Sequence, residues 1–377
     1  MPPASRPRVL LACAGLDHAR RGFESFAREC FEALRDEDGI ELELVKGSGP
    51  AGDGERAVRT LRRDHAVARA AGRLTGGRPF RFEHAAFGLS LQRELRRRDP
   101  DVVYLSEWDT ARVLAALRRP LWQRFRLVLC NGTPATANFG HLDVVQQLTP
   151  VALEASLARG ADPARQVLLP LGFAIPPRFD PPTAAEKQAL RRSFDLPPDR
   201  HIVLSVAALN RSEKRLDHLI EEIARLEGTR PFLLLLGEVE QETPGIRALA
   251  SGRLGEDGHG IRTVSRADVE ALLRAADTFV LASLGEVLPR ALIEAHAAGL
   301  PCVAHDYAVT RFALGEHGRF ADMTKTGALA EVLRRVDEPG AAAARHRDAY
   351  ERFSWERLKP RYVEMLRTAA GRAARPA

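Results

Sequence analysis

With 377 residues, the chain is too long for one ordinary hydrophobic core and suits two domains of ~150–190 residues each. Hydrophobic residues at 45% give each half enough apolar surface to bury a core, and no apolar run reaches the roughly 20 residues that span a bilayer. The balance is basic, with a net charge of +6, but aromatic residues are only 6% and no recognition motif appears, which argues against a nucleic-acid binder.

The N-terminal stretch "MPPASRPRVLLACAG" lacks the plan of a signal peptide. Its short apolar run, "RVLLACAG", reads as a first strand, so a cytoplasmic protein is expected. A loop with Gly15, Arg20, Arg21 and Gly22 leads into a helix, "GFESFARECFEALRDE", whose Phe23, Phe26, Cys30, Phe31 and Leu34 share one face. Gly22 is the best candidate for close backbone approach to a ligand. The spacing is not that of a dinucleotide fingerprint. Glu24 serves equally as a first-turn acid or as a ligand contact.

Further strands are expected at "IELELVKG", "DVVYLSE", "FRLVLCN" and "LDVVQQLT". Between Glu55 and Asp99, twelve arginines stand against five acids. They are either solvated helix faces or a surface that attracts an anionic lipid or substrate. Polar groups gather at two strand ends, with Glu107 in "SEWD" and Asn131 at the start of "NGTPATANFGH". His141 closes that second stretch, although a lone histidine is more often structural. "TPVALEASLARGA" predicts a helix with Thr149 as N-cap, Pro150 in the first turn and Gly160 at the exit. The four cysteines, Cys13, Cys30, Cys130 and Cys302, lack metal-motif spacing and are expected as buried thiols, with no metal site and no disulfide framework.

Prolines then crowd at Pro170, Pro176, Pro177, Pro181, Pro182, Pro197 and Pro198, a density that breaks regular structure and marks a linker. After it the βα rhythm restarts at "HIVLSVAAL". Arg211 and Lys214 follow in the next loop and helix start, positive groups of the kind a departing diphosphate needs. Next come the helix "RLDHLIEEIARLEG", the strands "FLLLLGE" and "GIRTV", the helix "RADVEALLRAA" and the strand "TFVLAS". That last run is apolar without alternation, hence buried on both faces. The loop "LGEVLP" follows it. Pro289 suits a first helical position, and the helix runs over Arg290–Ala298 to stop at Gly299. Amides of its first turn favour a phosphate. Glu294, roughly 7.5 Å further along the axis, is placed for ribose hydroxyls, and Glu286 for a sugar beyond the diphosphate. Alternating strands and helices on both sides of the linker predict α/β architecture: two doubly wound, Rossmann-like domains facing a cleft. The expected boundaries are 1–175, 176–350 and a closing helix at 351–377.

The stretch "SLGEVLPRALIEAHAAGLPCVA" resembles the Glu-x7-Glu motif of the retaining glycosyltransferases of family four, "S-x-x-E-G-[FL]-[GP]-x-x-x-x-E-A-x-A-x-G-x-P-V-V-A". Ser283, Glu286, Leu288, Pro289, Glu294, Ala295, Gly299 and Pro301 stand in register, while Val287 replaces the usual glycine. "SVAALNRSEKRLDHLI" is similar to the family's "V-G-R-L-x-x-x-K-G-x-D-x-L-I". Lys214 matches its lysine, and the family arginine falls on Ala208 or, with a one-residue shift, near Arg211. "GIRTVSRADVEALLRAADTFVLAS" places Thr263 and Val264 where the family receives the nucleotide base, and "FSWERLKPRYVEML" matches its closing helix, with Trp355 and Tyr362 as packing residues. The resemblance is specific from about Ser205 to Tyr362 and loose before that.

It implies the GT-B fold and a metal-independent retaining transferase without a resident cofactor. The co-substrate would be a nucleotide-diphosphate sugar and the acceptor a small molecule, a saccharide or a lipid-linked group. Glu286, Lys214 and Arg211 would form the catalytic group. Gly22, Thr263, Val264, Val287, Leu288 and Glu294 would bind the donor, and Glu107, Asn131 and His141 the acceptor. The family histidine of the first domain is missing, with Asn131 in its place. A sugar-nucleotide epimerase or phosphorylase, or a non-catalytic sugar-nucleotide-binding subunit, is the alternative. Read from its charge alone, the arginine-rich region 55–99 is expected either as solvated helix faces or as a peripheral contact with the inner face of an anionic membrane.

Overall fold

The computed structural model describes residues 6–18, 22–68, 70, 79–133, 140–335 and 340–371. Arg20 and Arg21 lie outside these residues, as do Arg69, Arg73 and Arg78 among the twelve arginines counted between Glu55 and Asp99, and 134–139 of the expected polar loop. Two compact units divide the chain, one formed by residues 1–174 and 355–377, the other by 175–354. Each is built on a parallel sheet.

The first sheet contains β1 (Arg8–Cys13), β2 (Glu41–Lys46), β3 (Glu55–Ala57), β4 (Val102–Leu105), β5 (Arg126–Asn131), β6 (Val144–Gln147) and β7 (Gln166–Leu168), in the order β3-β2-β1-β4-β5-β6-β7. Its central strand β4, VVYL, is apolar and buried at all four residues, as helices on both faces of a parallel sheet require. Helices Gly22–Leu34, Pro79–Arg98, Trp108–Arg118 and Pro150–Ala158 intervene between the strands. Thr149 caps the last of these, its hydroxyl accepting from the Ala152 amide at 3.3 Å, with Pro150 in the first turn and Gly160 at φ +81 beyond its end. The closing helix, Trp355–Gly371, belongs to this unit. Its Trp355 and Tyr362 rings pack 5.0 Å apart, and the Tyr362 hydroxyl donates to Pro170 O and accepts from Gln146, itself buried on β6. Cys13, Cys30, Cys130 and Cys302 are all free and buried, as expected.

The second sheet contains β8 (Ile202–Val206), β9 (Phe232–Leu236), β10 (His259–Arg262), β11 (Thr278–Leu281), β12 (Cys302–His305) and β13 (Arg319–Ala321), in the order β10-β9-β8-β11-β12-β13. Every strand expected from the sequence is present in the two sheets. The linker is a partial correction. The proline-rich stretch holds a helix, Ala184–Ser193, opened by a reciprocal capping box between Thr183 and Glu186. Pro181 and Pro182 precede it and Pro197 and Pro198 follow it, so the prolines bound the helix and break nothing inside it. Asp277 fastens this helix to the sheet, accepting from Lys187 Nζ and the Arg191 guanidinium at 2.6 Å each and from the Ile202 amide, at the start of β8, at 2.7 Å.

The helix after β11 runs over Arg290–Ala297, with Pro289 as its N-cap one position earlier than expected. Gly299 at φ +81 ends it, in the left-handed region that costs an L side chain about 1–2 kcal/mol. The carbonyls at that end find partners on the helix Ala342–Phe353: Arg345 Nε donates to Gly299 O at 2.8 Å, and His346 Nδ1 meets Ala297 O at 2.6 Å. The helix that carries Glu294 is thereby fixed at its C-terminal end.

Candidate functional site

In both sheets the strand order reverses about a central pair, β1 with β4 and β8 with β11. The loops leaving the carboxyl ends of such a pair depart in opposite directions and open a crevice between them. In the second unit, β8 leads into the loop with Arg211 and Lys214, and β11 into the loop with Glu286. Adjacent strands therefore bring together residues 72 positions apart: Lys214 Nζ donates to Glu286 Oε1 at 2.6 Å. Ser283 Oγ donates to the same oxygen at 2.7 Å. The two charged side chains are 22% and 14% exposed, so the pair is half sheltered while remaining reachable.

Lys214 is held from below. Asn210, buried at the end of the β8 loop, accepts from the amides of Glu213 at 3.2 Å and Lys214 at 2.9 Å through Oδ1 and donates to Glu240 through Nδ2. Arg215 takes a left-handed backbone at φ 52 and donates to Met323 O, turning the chain into the next helix, Leu216–Ala224. Arg211 behaves differently from Lys214. Its side chain is exposed, and the contact that fixes it is made by its backbone amide, which donates to Glu242 Oε2 at 2.6 Å.

On the helix Arg290–Ala297, Glu294 faces two guanidinium groups, Arg290 at 3.3 Å and Arg266 at 3.7 Å. Val287 is half-buried and Leu288 buried between Glu286 and that helix. Thr263 lies after β10 and donates through Oγ1 to Gly237 O, after β9, at 2.6 Å; Val264 is half-buried next to it. The loops after β10 and β11 thus carry Thr263, Val264, Val287 and Leu288, and Glu294 lies on the helix that follows β11.

The first unit repeats the geometry. Glu107, just beyond β4, reaches across to the loop after β1, its Oε1 accepting from the Ala14 amide at 2.6 Å. Its Oε2 is buried with no partner among the described residues. Burial pushes this carboxyl up to about 7, the Ala14 amide acting against the shift and the neighbouring Glu24 charge adding to it. Glu24 itself is buried, 3.5 Å from Arg63. Asn131 is satisfied locally: Nδ2 donates to Gln147 at 2.8 Å, and Oδ1 accepts from the amide and hydroxyl of Thr133. His141 packs edge-on to Trp108 at 5.1 Å, and burial and then Arg112 and Arg118 lower its pKa. Gly22 is exposed at the first position of its helix.

The arginine-rich region divides. Arg63 turns to Glu83, Arg81 to Asp109 and Arg98 to Glu43, whereas Arg56, Arg59, Arg93, Arg96 and Arg97 are exposed.

The Glu107 geometry yields a prediction with a definite sign. Its folded pKa, about 7, lies above the unfolded value of ~4.3, so the wild type loses stability as pH rises between the two. Glu107→Gln keeps an oxygen for the Ala14 amide and does not titrate. The variant should gain on the wild type by on the order of 2–3 kcal/mol between about pH 4 and about pH 8 in urea unfolding. A pH-independent difference would refute the assignment.

Sequence reasoning gave no role to Asn210, Ser283 or Tyr307. Ser283 stood in register with the motif, and Asn210 and Tyr307 follow strands, which is a ligand-facing position in this architecture.

Residues 186–348 match the family Glycosyl transferases group 1. A mannosyltransferase of Mycolicibacterium hassiacum, MMP alpha-(1->4)-mannosyltransferase, is 25% identical over 189 residues, 46% of this chain and 45% of its own length. The putative teichuronic acid biosynthesis glycosyltransferase TuaC of Bacillus subtilis is 30% identical over 172 residues, 45% of this chain and 41% of its own. The chain thus spans less than half the length of these curated relatives. Among solved structures, a sucrose-phosphate synthase of Thermosynechococcus elongatus superposes with TM-score 0.78 at 18% identity, covering 96% of this chain and 99% of that one. Anabaena HepE, solved with UDP and glucose, gives 0.74 at 16%, covering 96% and 100%. The catalytic domain of Arabidopsis thaliana starch synthase IV, bound to ADP and acarbose, gives 0.73 at 13%, covering 98% and 100%. The fold is GT-B, with two Rossmann-like units.

Proposed function

We propose that this protein is a glycosyltransferase that moves a sugar from a nucleotide-diphosphate donor to an acceptor hydroxyl, with retention of anomeric configuration. The observation that carries the reading is the Lys214–Glu286 pair, formed where the loops after β8 and β11 meet beside the start of a helix. An ammonium and a first turn of backbone amides supply positive charge where a diphosphate leaves, and the carboxylate offers an acceptor for sugar hydroxyls. Glu294 takes the ribose and the Thr263–Val264 backbone the base. Arg211, exposed at the mouth of the same loop, adds a second cation. The family match over residues 186–348 and the activities of the two relatives support this assignment.

No side chain of this constellation is a free nucleophile. The Glu286 oxygen nearest the cations is already engaged by Lys214 and Ser283, which suits positioning. Retention then follows from attack on the face the diphosphate leaves, with a phosphate oxygen receiving the acceptor proton. The first unit takes the acceptor at the carboxyl ends of β4 and β5, where Glu107 and Asn131 stand, with His141 in the segment that leads into β6. The exposed arginines of 55–99 support a cytoplasmic enzyme resting on an anionic membrane face.

The test is a panel of uridine, guanosine, thymidine and adenosine diphosphate sugars, read first as thermal stabilisation and then as transfer. One donor should stabilise the protein and be consumed, with turnover unaffected by EDTA and an anomeric proton coupling in the product matching that of the donor. Stabilisation without product would identify a binding subunit, and an inverted product would overturn the retaining assignment.

A further inference from the structure

We propose that the Tyr307 hydroxyl donates a hydrogen bond to an oxygen of the transferred sugar, making Tyr307 a specificity-determining partner of Glu286; this rests on the donor-binding reading above. Tyr307 follows β12 by two residues. Because β12 pairs in parallel with β11, with Leu281 opposite Ala304, the loops leaving the two strands are neighbours. One carries Glu286 and the other Tyr307, so three adjacent strands, β8, β11 and β12, contribute Lys214, Glu286 and Tyr307.

The phenol is held in place. Its ring stacks on His305 with centroids 5.5 Å apart, and His305 is fixed by the Met323 amide, which donates to its Nδ1 at 3.2 Å. The hydroxyl is enclosed and meets no hydrogen-bond partner among the described residues. Burial first, and then the Glu286 carboxylate, push its pKa up, while the Glu286 amide opposes them electrostatically without reaching hydrogen-bond geometry. The group stays protonated and is available as a donor. A buried hydroxyl without an acceptor is uncommon and calls for an absent oxygen.

The chemistry of that oxygen follows from its neighbours. A diphosphate oxygen beside Glu286 would face a carboxylate of like charge. A sugar hydroxyl suits the place, since it gives its proton to the carboxylate and receives one from the phenol. The amides of the helix Arg290–Ala297 and Lys214 remain for the diphosphate.

Tyr307→Phe removes one oxygen and keeps the ring. Calorimetric titration of wild type and variant would compare each donor with its own diphosphate: UDP-glucose with UDP, GDP-mannose with GDP, dTDP-glucose with dTDP, ADP-glucose with ADP. For the pair the wild type binds, the expected result is a five- to twenty-fold weaker Kd for the sugar nucleotide, on the order of one lost hydrogen bond, with the Kd of the free diphosphate unchanged. Equal weakening of both would place the hydroxyl on the phosphates or in the fold and overturn the proposal, as would no weakening of either. Failure of the wild type to bind any of the eight compounds would instead overturn the donor-binding reading, and this inference with it.

Discussion

Lys214→Ala should lower transfer turnover by roughly two to three orders of magnitude while leaving the fold in place. On the proposed reading, the charge that develops on a leaving diphosphate would be met in a half-sheltered crevice, where an ammonium is worth far more than in open water. Lys214 is also the cation that neutralises Glu286, and its amide is pinned by Asn210, so its position costs little to hold at the moment of reaction. Its removal should cost little stability, about 1 kcal/mol, because both partners keep some contact with solvent and Ser283 still serves the carboxylate. Lys214→Arg, which keeps the charge on a longer and planar head, should recover part of the rate. Steady-state kcat beside a melting curve decides the matter. Turnover within a few-fold of wild type in a folded Lys214→Ala protein would remove Lys214 from the reaction.

Asp277→Ala should cost the second unit about 3–5 kcal/mol, the scale for removing one member of a buried ion pair. One carboxylate answers Lys187, Arg191 and the Ile202 amide, and Arg191 is 6% exposed, so the substitution leaves a guanidinium buried without its counter-charge. Desolvation raises the Asp277 carboxyl, but the Lys187 and Ile202 hydrogen bonds and the two cations outweigh it, and the net pKa is lowered. The sign of the pH effect follows. With the folded pKa below the unfolded value of ~3.9, the stabilisation is complete above that value and disappears as pH falls through the folded one. Urea midpoints of wild type and variant should therefore differ most near neutrality and converge in acid. A difference below about 1 kcal/mol at neutral pH would show that the helix Ala184–Ser193 is held by its packing alone.

The sequence by itself determined the longer strands and their parallel character, and it singled out the residues from which the candidate site is assembled. Unbroken apolar runs such as "VVYL" and "FLLLL" can be buried only between two layers, and Thr149-Pro150 and Gly299 are local signals that need no partner to act. Glu286, Glu294 and Lys214 were legible because each sits in a recurring local pattern. The short strands β3 and β7 were not, since three residues carry too little periodicity to separate them from a loop. The helix Ala184–Ser193 was hidden by prolines that bound it.

Tertiary structure alone decided which residues meet. Nothing in the spacing of Lys214 and Glu286 says that they touch; β8 and β11 become neighbours because the chain reverses its winding at β8. The corresponding reversal at β1 in the first sheet joins Glu107 to the loop after β1, and the β11–β12 pairing brings the loops with Tyr307 and Glu286 together. It also separated two cations that look alike in sequence, turning Lys214 onto a carboxylate and leaving Arg211 attached through its backbone. Hydrogen bonds and ion pairs act over a few ångströms, and which groups come that close is fixed by the order of strands in the sheet.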